Sequence, residues 1–135
     1  AALATARSVV EAVGAHDRVL DPVGHDRAVA AISHLPYLAA ASLVNTVTWG
    51  STTGGDDSLA LSLAASGFRD TTRLAASDVD MMLDILLTNR SAVLEWLEAY
   101  AGQLASLAAL LRNGDEAGLR DRLAAARETR RGMKF

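Results

Sequence analysis

Two stretches of this chain have the residue types and spacing that chemistry asks for. The first is Ser33-His34-Leu35-Pro36-Tyr37, three polar side chains around a proline in an otherwise apolar segment. A buried polar group without a partner costs about 1–3 kcal/mol, so something must satisfy each of them. Two readings are open. In one, Ser33 bonds to the carbonyl one turn back, His34 to a neighbouring helix and Tyr37 to water. In the other, the proline turns Ser33 and Tyr37, one helical turn apart on one face, toward a pocket. The second stretch is Gly67-Phe68-Arg69-Asp70-Thr71-Thr72-Arg73. Arg69 and Arg73 are four apart, and either guanidinium can clamp a carboxylate through two parallel N–H bonds; the alternative is a surface ion pair with Asp70.

Other chemistries are excluded. His16, His25 and His34 belong to no HExxH motif and to no compact cluster of metal ligands. On a straight helix with about 100° per residue, His25 and His34 fall on opposite sides, so no metal site is predicted. There is no GxGxxG and no GxxxxGK[ST]; Gly50, Gly54 and Gly55 are wrongly spaced, so no nucleotide site of the chain's own is predicted. With no cysteine there is no disulfide, thiolate zinc site or thiol nucleophile, which fits a cytoplasmic protein. The net charge is −3, and Arg120, Arg122, Arg127, Arg130, Arg131 and Lys134 read as a solvated helix face rather than a nucleic-acid footprint.

The elements that must position these groups are helices. Half of the residues are hydrophobic, Ala and Leu dominate, and there are only two prolines, a balance that favours helix over sheet. Residues 5–13 read as a helix closed by Gly14, and 18–20 as a short strand, an opening unlike the rest. After Asp21-Pro22 a long helix is predicted from about Gly24 or His25, kinked at Pro36 and apolar nearly all round, hence central to a large core or an oligomer interface. Its apolar run, 28–44, is close to a membrane-spanning length, but Ser33, His34, Pro36 and Ser42 interrupt it, so we read a buried helix and no membrane. Residues 46–57 read as a flexible Gly, Ser and Thr connection, 58–65 as a short helix, and 67–77 as a loop with one helical turn. Asp78 caps a helix reaching Asn89. Leu94, Leu97, Ala101, Leu104, Ala108 and Leu111 then repeat at threes and fours, Asn113-Gly114-Asp115 breaks the helix, and Leu119, Leu123 and Ala126 mark the last one. The predicted class is all-α, a helical bundle.

Taken together, His25-Asp26-Arg27, the Ser33 to Tyr37 motif, Ser66-Gly67-Phe68-Arg69-Asp70-Thr71-Thr72-Arg73-Leu74-Ala75, Ser77-Asp78 and Asn89-Arg90 resemble, in order and spacing, the C-terminal domain of the prephenate dehydrogenase family. The resemblance implies an oxidoreductase that decarboxylates prephenate or arogenate with NAD or NADP in tyrosine biosynthesis. It implies the helical dimerisation fold of relatives of 6-phosphogluconate dehydrogenase, an intertwined homodimer formed by residues 21–135. Residues 1–20, which lack an initiator Met and a signal-peptide pattern, would be the last helix and strand of a preceding nucleotide-binding domain. In that scheme a base in the nucleotide domain withdraws the ring hydroxyl proton, hydride passes to the nicotinamide, and loss of CO2 aromatises the ring.

No catalytic residue of that scheme lies in this chain. It would supply substrate contacts: Ser33, His34, Tyr37, Gly67, Met82 and Arg73, the last holding a carboxylate, with Asp70 toward the cofactor. Tyr37 stands where the family commonly has a second His, and Met82 where it commonly has Trp, departures that bear on prephenate against arogenate. The competing expectation is a non-catalytic helical dimerisation module.

Overall fold

The computed structural model describes residues 1–52 and 57–134, and among these every regular element is helical. Eight α-helices follow in order: α1 (Ala2–Ala12), α2 (Pro22–Val29), α3 (Leu35–Thr52), α4 (Asp57–Ser62), α5 (Ser66–Thr72), α6 (Val79–Thr88), α7 (Arg90–Asn113) and α8 (Glu116–Gly132). A π turn, Ala30–His34, joins α2 to α3, and a 3-10 turn, Arg73–Ala76, joins α5 to Ser77.

The ends of these helices follow local chemistry. Asp21, Asp78 and Asp115 each accept a hydrogen bond from the backbone N–H three residues on, at 2.9, 2.8 and 2.9 Å. Each satisfies one of the N–H groups that a helix start leaves without a partner. α2 begins earlier than predicted, with Pro22 in its first turn, where a missing N–H and a fixed φ do no harm. Gly14 closes α1 at φ 74° and Gly114 closes α7 at φ 64°, backbone conformations that side-chain-bearing residues rarely adopt.

The structure differs from the prediction in four further places. The kink at Pro36 is replaced by the π turn, in which the Leu35 N–H reaches the Ala30 carbonyl five residues back. The wider turn accommodates a ring that would otherwise crowd the carbonyl four residues before it. α3 runs on to Thr52, where a flexible connection was predicted, and within it the Thr46 and Thr48 hydroxyls bond back to the carbonyls of Ser42 and Val44, at 2.8 and 3.1 Å, rather than competing with the helix for its N–H groups. The rest of that connection, 53–56, with Gly54 and Gly55, lies outside the described residues. Of residues 67–77, predicted as a loop with one helical turn, all but Ser77 are helical, in α5 and the 3-10 turn. The strand at 18–20 is not formed, since extended backbone becomes a strand only by pairing with another, and none is present among the described residues.

α3 lies against the Arg73–Ala76 turn and α5, while the π turn and α2 lie against α7. Among the described residues the buried apolar ones are few: Ala30, Ala40, Met82 and Val93. The stripe on α7 is formed as predicted but is left largely uncovered, with Leu104 49% and Leu111 65% exposed. The continuous helical stretch Pro22–Thr48, mean hydropathy 1.3, is long and apolar enough to cross a membrane by length and composition alone. It is the central element of the chain, yet Ile32 on it is 77% exposed. The total accessible surface, 10456 Å² for 14.1 kDa, exceeds by more than half the roughly 6,700 Å² of a compact monomer of this mass.

Candidate functional site

His34 closes the π turn and is the buried polar residue of the described chain, 7% exposed. Desolvation holds its imidazole below its ordinary pKa; the Asp26 carboxylate opposes that shift and His25 adds to it. Its Nδ1 lies 3.4 Å from Nδ2 of Asn89, the residue between α6 and α7. The same Asn89 nitrogen donates to the Asp26 carbonyl at 2.7 Å. About two turns further along α7, Trp96 Nε1 donates to the Arg27 carbonyl at 3.1 Å, and the adjacent Glu95 accepts from the Arg27 guanidinium at 2.5 Å. Three side chains of α7 and its cap thus fasten the helix segment that leads into the π turn. Sequence reasoning quoted Asn89 but assigned no role to it, to Glu95 or to Trp96, because their partners are 55 to 69 residues away.

Of the predicted site residues, Ser33, His34 and Tyr37 lie on or directly after the π turn, and Arg73 opens the 3-10 turn against which α3 packs. Ser33 is exposed and Tyr37 half-buried, and neither hydroxyl has a hydrogen-bond partner among the described residues. The back-bond considered for Ser33 is therefore not made, whereas His34 does meet a neighbouring helix. Arg73 is exposed, and its guanidinium has no ion pair or hydrogen bond among the described residues. The two arginines of the motif thus separate: Arg69 Nε is paired with Asp70 Oδ1 at 3.0 Å, the surface pair that was the alternative for Asp70, and Arg73 is left for a ligand.

Gly67 is exposed with ordinary backbone, and a Cβ built on it meets nothing within 4 Å, so this chain alone does not require glycine there. Met82 is buried and belongs to the chain's own core. The grooves along α8, between α1 and α2, and between α2 and α7 take in none of Ser33, Tyr37, Gly67 and Arg73. Ser33, Gly67 and Arg73 are therefore exposed groups outside any groove of the described chain, with Tyr37 half-buried beside them in sequence; the arginine can bind an anion and the hydroxyls can donate and accept hydrogen bonds.

No group of His, Asp and Glu able to hold a metal is present among the described residues. A dinucleotide does not fit either: among those residues no strand leads through a glycine-rich loop into a helix, the arrangement that cradles a pyrophosphate.

An all-α unit of this kind, with its polar groups gathered at a π turn and its apolar faces uncovered, is the form of a domain that assembles with others. The family described as prephenate dehydrogenase, dimerization domain, matches residues 21–125, and the chain belongs to that family. The prephenate dehydrogenase of Lactococcus lactis is 30% identical over 130 residues, 96% of this chain and 36% of the relative. The crystal structure of Synechocystis arogenate dehydrogenase is 34% identical with a TM-score of 0.82, over 95% of this chain and 46% of that one. Prephenate dehydrogenase of Aquifex aeolicus, in complex with hydroxyphenyl propionate and NAD+, is 29% identical with a TM-score of 0.85, over 98% of this chain and 45% of that one. The chain thus spans about a third of the length of the curated relatives it matches.

Proposed function

We propose that this chain is the substrate-binding and dimerisation part of a cytoplasmic, nicotinamide-dependent dehydrogenase that oxidatively decarboxylates prephenate or arogenate in tyrosine biosynthesis. What carries the reading is the likeness, over nearly the whole chain, to enzymes bearing both of those names. In this reading NAD or NADP is held by a nucleotide-binding domain to which residues 1–20 belong, α1 as its last helix and 18–20 as a segment that becomes a strand only by pairing within that domain; the family match begins only at residue 21.

The work of this chain is to hold the substrate. The free Arg73 guanidinium takes a substrate carboxylate through paired, charge-assisted bonds, the Ser33 and Tyr37 hydroxyls line the ring, and His34 contacts it from the π turn. Met82 fills the space beneath, and Asp70 faces the cofactor side. A second copy of the chain, intertwined with the first, covers the α7 stripe and the apolar faces of α3. It closes over these groups and explains a glycine at 67 that one chain does not need.

The test is turnover by the full-length protein, following nicotinamide reduction with prephenate and arogenate in parallel, beside an Arg73→Ala variant. Rapid reduction with one substrate, weakened about tenfold or more in affinity by the substitution, is the expected result. Full activity in the variant would remove Arg73 from the site, and no turnover with either substrate would leave a non-catalytic dimerisation module.

A further inference from the structure

The Asp26 carbonyl fixes the orientation of the Asn89 amide. A carbonyl oxygen can only accept, so the Asn89 atom 2.7 Å from it is the NH2 nitrogen. That nitrogen also lies 3.4 Å from His34 Nδ1, and an amide NH2 donates without accepting. Nδ1 is therefore the acceptor, and a neutral imidazole whose Nδ1 accepts carries its proton on Nε2. Asn89 also occupies the N-cap position of α7 without making a side-chain cap bond. Its amide is turned away from the usual task of such a residue and engaged with the π turn. His34 is more than nine-tenths buried, and its Nε2 has no hydrogen-bond partner among the described residues. A buried N–H without an acceptor is rare in folded proteins and points to an acceptor supplied from outside.

We propose that Asn89 is a positioning residue that holds His34 as a neutral Nε2–H donor toward a hydroxyl or carboxylate oxygen of the bound substrate. This rests on the substrate assignment above. His34 then orients substrate without moving a proton, and its protonation would set an Nδ1–H against the Asn89 N–H. The charged and titratable groups around it act in the same frame. The Asp26 carboxylate, which favours the imidazolium, lies 3.1 Å from His25 Nδ1, and burial outweighs it at His34.

The experiment uses full-length protein labelled with 15N-histidine, its ring-nitrogen resonances read by solid-state NMR near neutral pH and assigned with His34→Gln. The expected spectrum has a protonated Nε2 and a bare Nδ1. Asn89→Asp keeps the size of the side chain and suits a helix start, but its carboxylate can only accept. It should draw the proton to Nδ1 and raise the His34 pKa, lowering kcat/KM for the substrate about tenfold, with the KM for cofactor unchanged. His34→Gln, which retains a donor amide, should keep more of kcat/KM than His34→Leu. A protonated Nδ1 in the unaltered protein overturns the pairing whatever the activity. So does a reversed tautomer in Asn89→Asp with kcat/KM unchanged, as regards positioning. Absence of turnover with both substrates overturns the substrate assignment instead, and the NMR spectrum still decides the Asn89–His34 pair.

Discussion

Dilution should unfold this chain. A compact chain of 14.1 kDa hides about two thirds of the roughly 20,000 Å² that its unfolded form exposes, whereas this one, at 10456 Å², hides about half. The excess, roughly 3,700 Å² per chain and so about twice that for a pair, lies at the upper end of obligate interfaces, and the exposed surface includes Leu104, Leu111, Ile32 and Val79. With Ala30, Ala40, Met82 and Val93 as the buried apolar set among the described residues, most of the stabilisation must come from the contact between chains. If folding and dimerisation are one event, a hundredfold dilution lowers the stability by about 2.7 kcal/mol. With a urea slope of about 2–3 kcal/mol/M, the unfolding midpoint moves down by roughly 1 M. The assay is urea unfolding followed by circular dichroism at two concentrations a hundredfold apart, with sedimentation to give the mass before unfolding. A midpoint independent of concentration, together with a monomeric mass, would refute the reasoning and require the exposed leucines to be stable in water.

Three further outcomes are expected. The unfolded His34 titrates near its ordinary 6.5 and the folded one lower, so the unfolded chain takes up the proton first. This contribution to stability is complete above about pH 6.5 and is lost as pH falls through the folded value, and His34→Gln should flatten that part of a melting-temperature profile. Trp96→Phe removes the indole donor to the Arg27 carbonyl while keeping an aromatic ring, and should cost about 0.5–1.5 kcal/mol in denaturant titrations. Gly114→Ala places a side chain at φ 64° and should cost about 1 kcal/mol in the same titration, whereas Gly67→Ala should leave the fold of the single chain unaffected.

What was legible in the sequence was what neighbouring residues decide among themselves. Asp78 and Asp115 announce helix starts because their carboxylates reach a backbone N–H three residues away, and Gly114 announces an end because its φ is positive. The α7 stripe was legible from its spacing. The continuation of α3 to Thr52 was not, because threonine is a weak helix former by propensity, and only in the folded helix do its hydroxyls bond back to the preceding turn. Pro36 foretold a disturbance but not its kind, since a kink and a widened turn relieve the same clash. For the site, spacing alone left Arg69 and Arg73 level and the family resemblance singled out Arg73; the pairing of Arg69 with Asp70 distinguishes them physically. The fastening of His34 by Asn89 depends on two helices meeting across 55 residues, which no local pattern encodes.

The π turn also indexes the helix on either side of it. One residue more in a turn advances every later side chain by about 100° while lengthening the rod by only about 1.5 Å. Residues 35–52 therefore present a different set of side chains to their surroundings than an unbroken continuation of α2 would. Straightening the turn into regular α-helix without changing the sequence would leave length, composition and helix content nearly unchanged, yet rotate Tyr37 and Ala40 away from the faces they now occupy. The phase of the central helix, more than its hydrophobicity, then decides which surface can meet a partner.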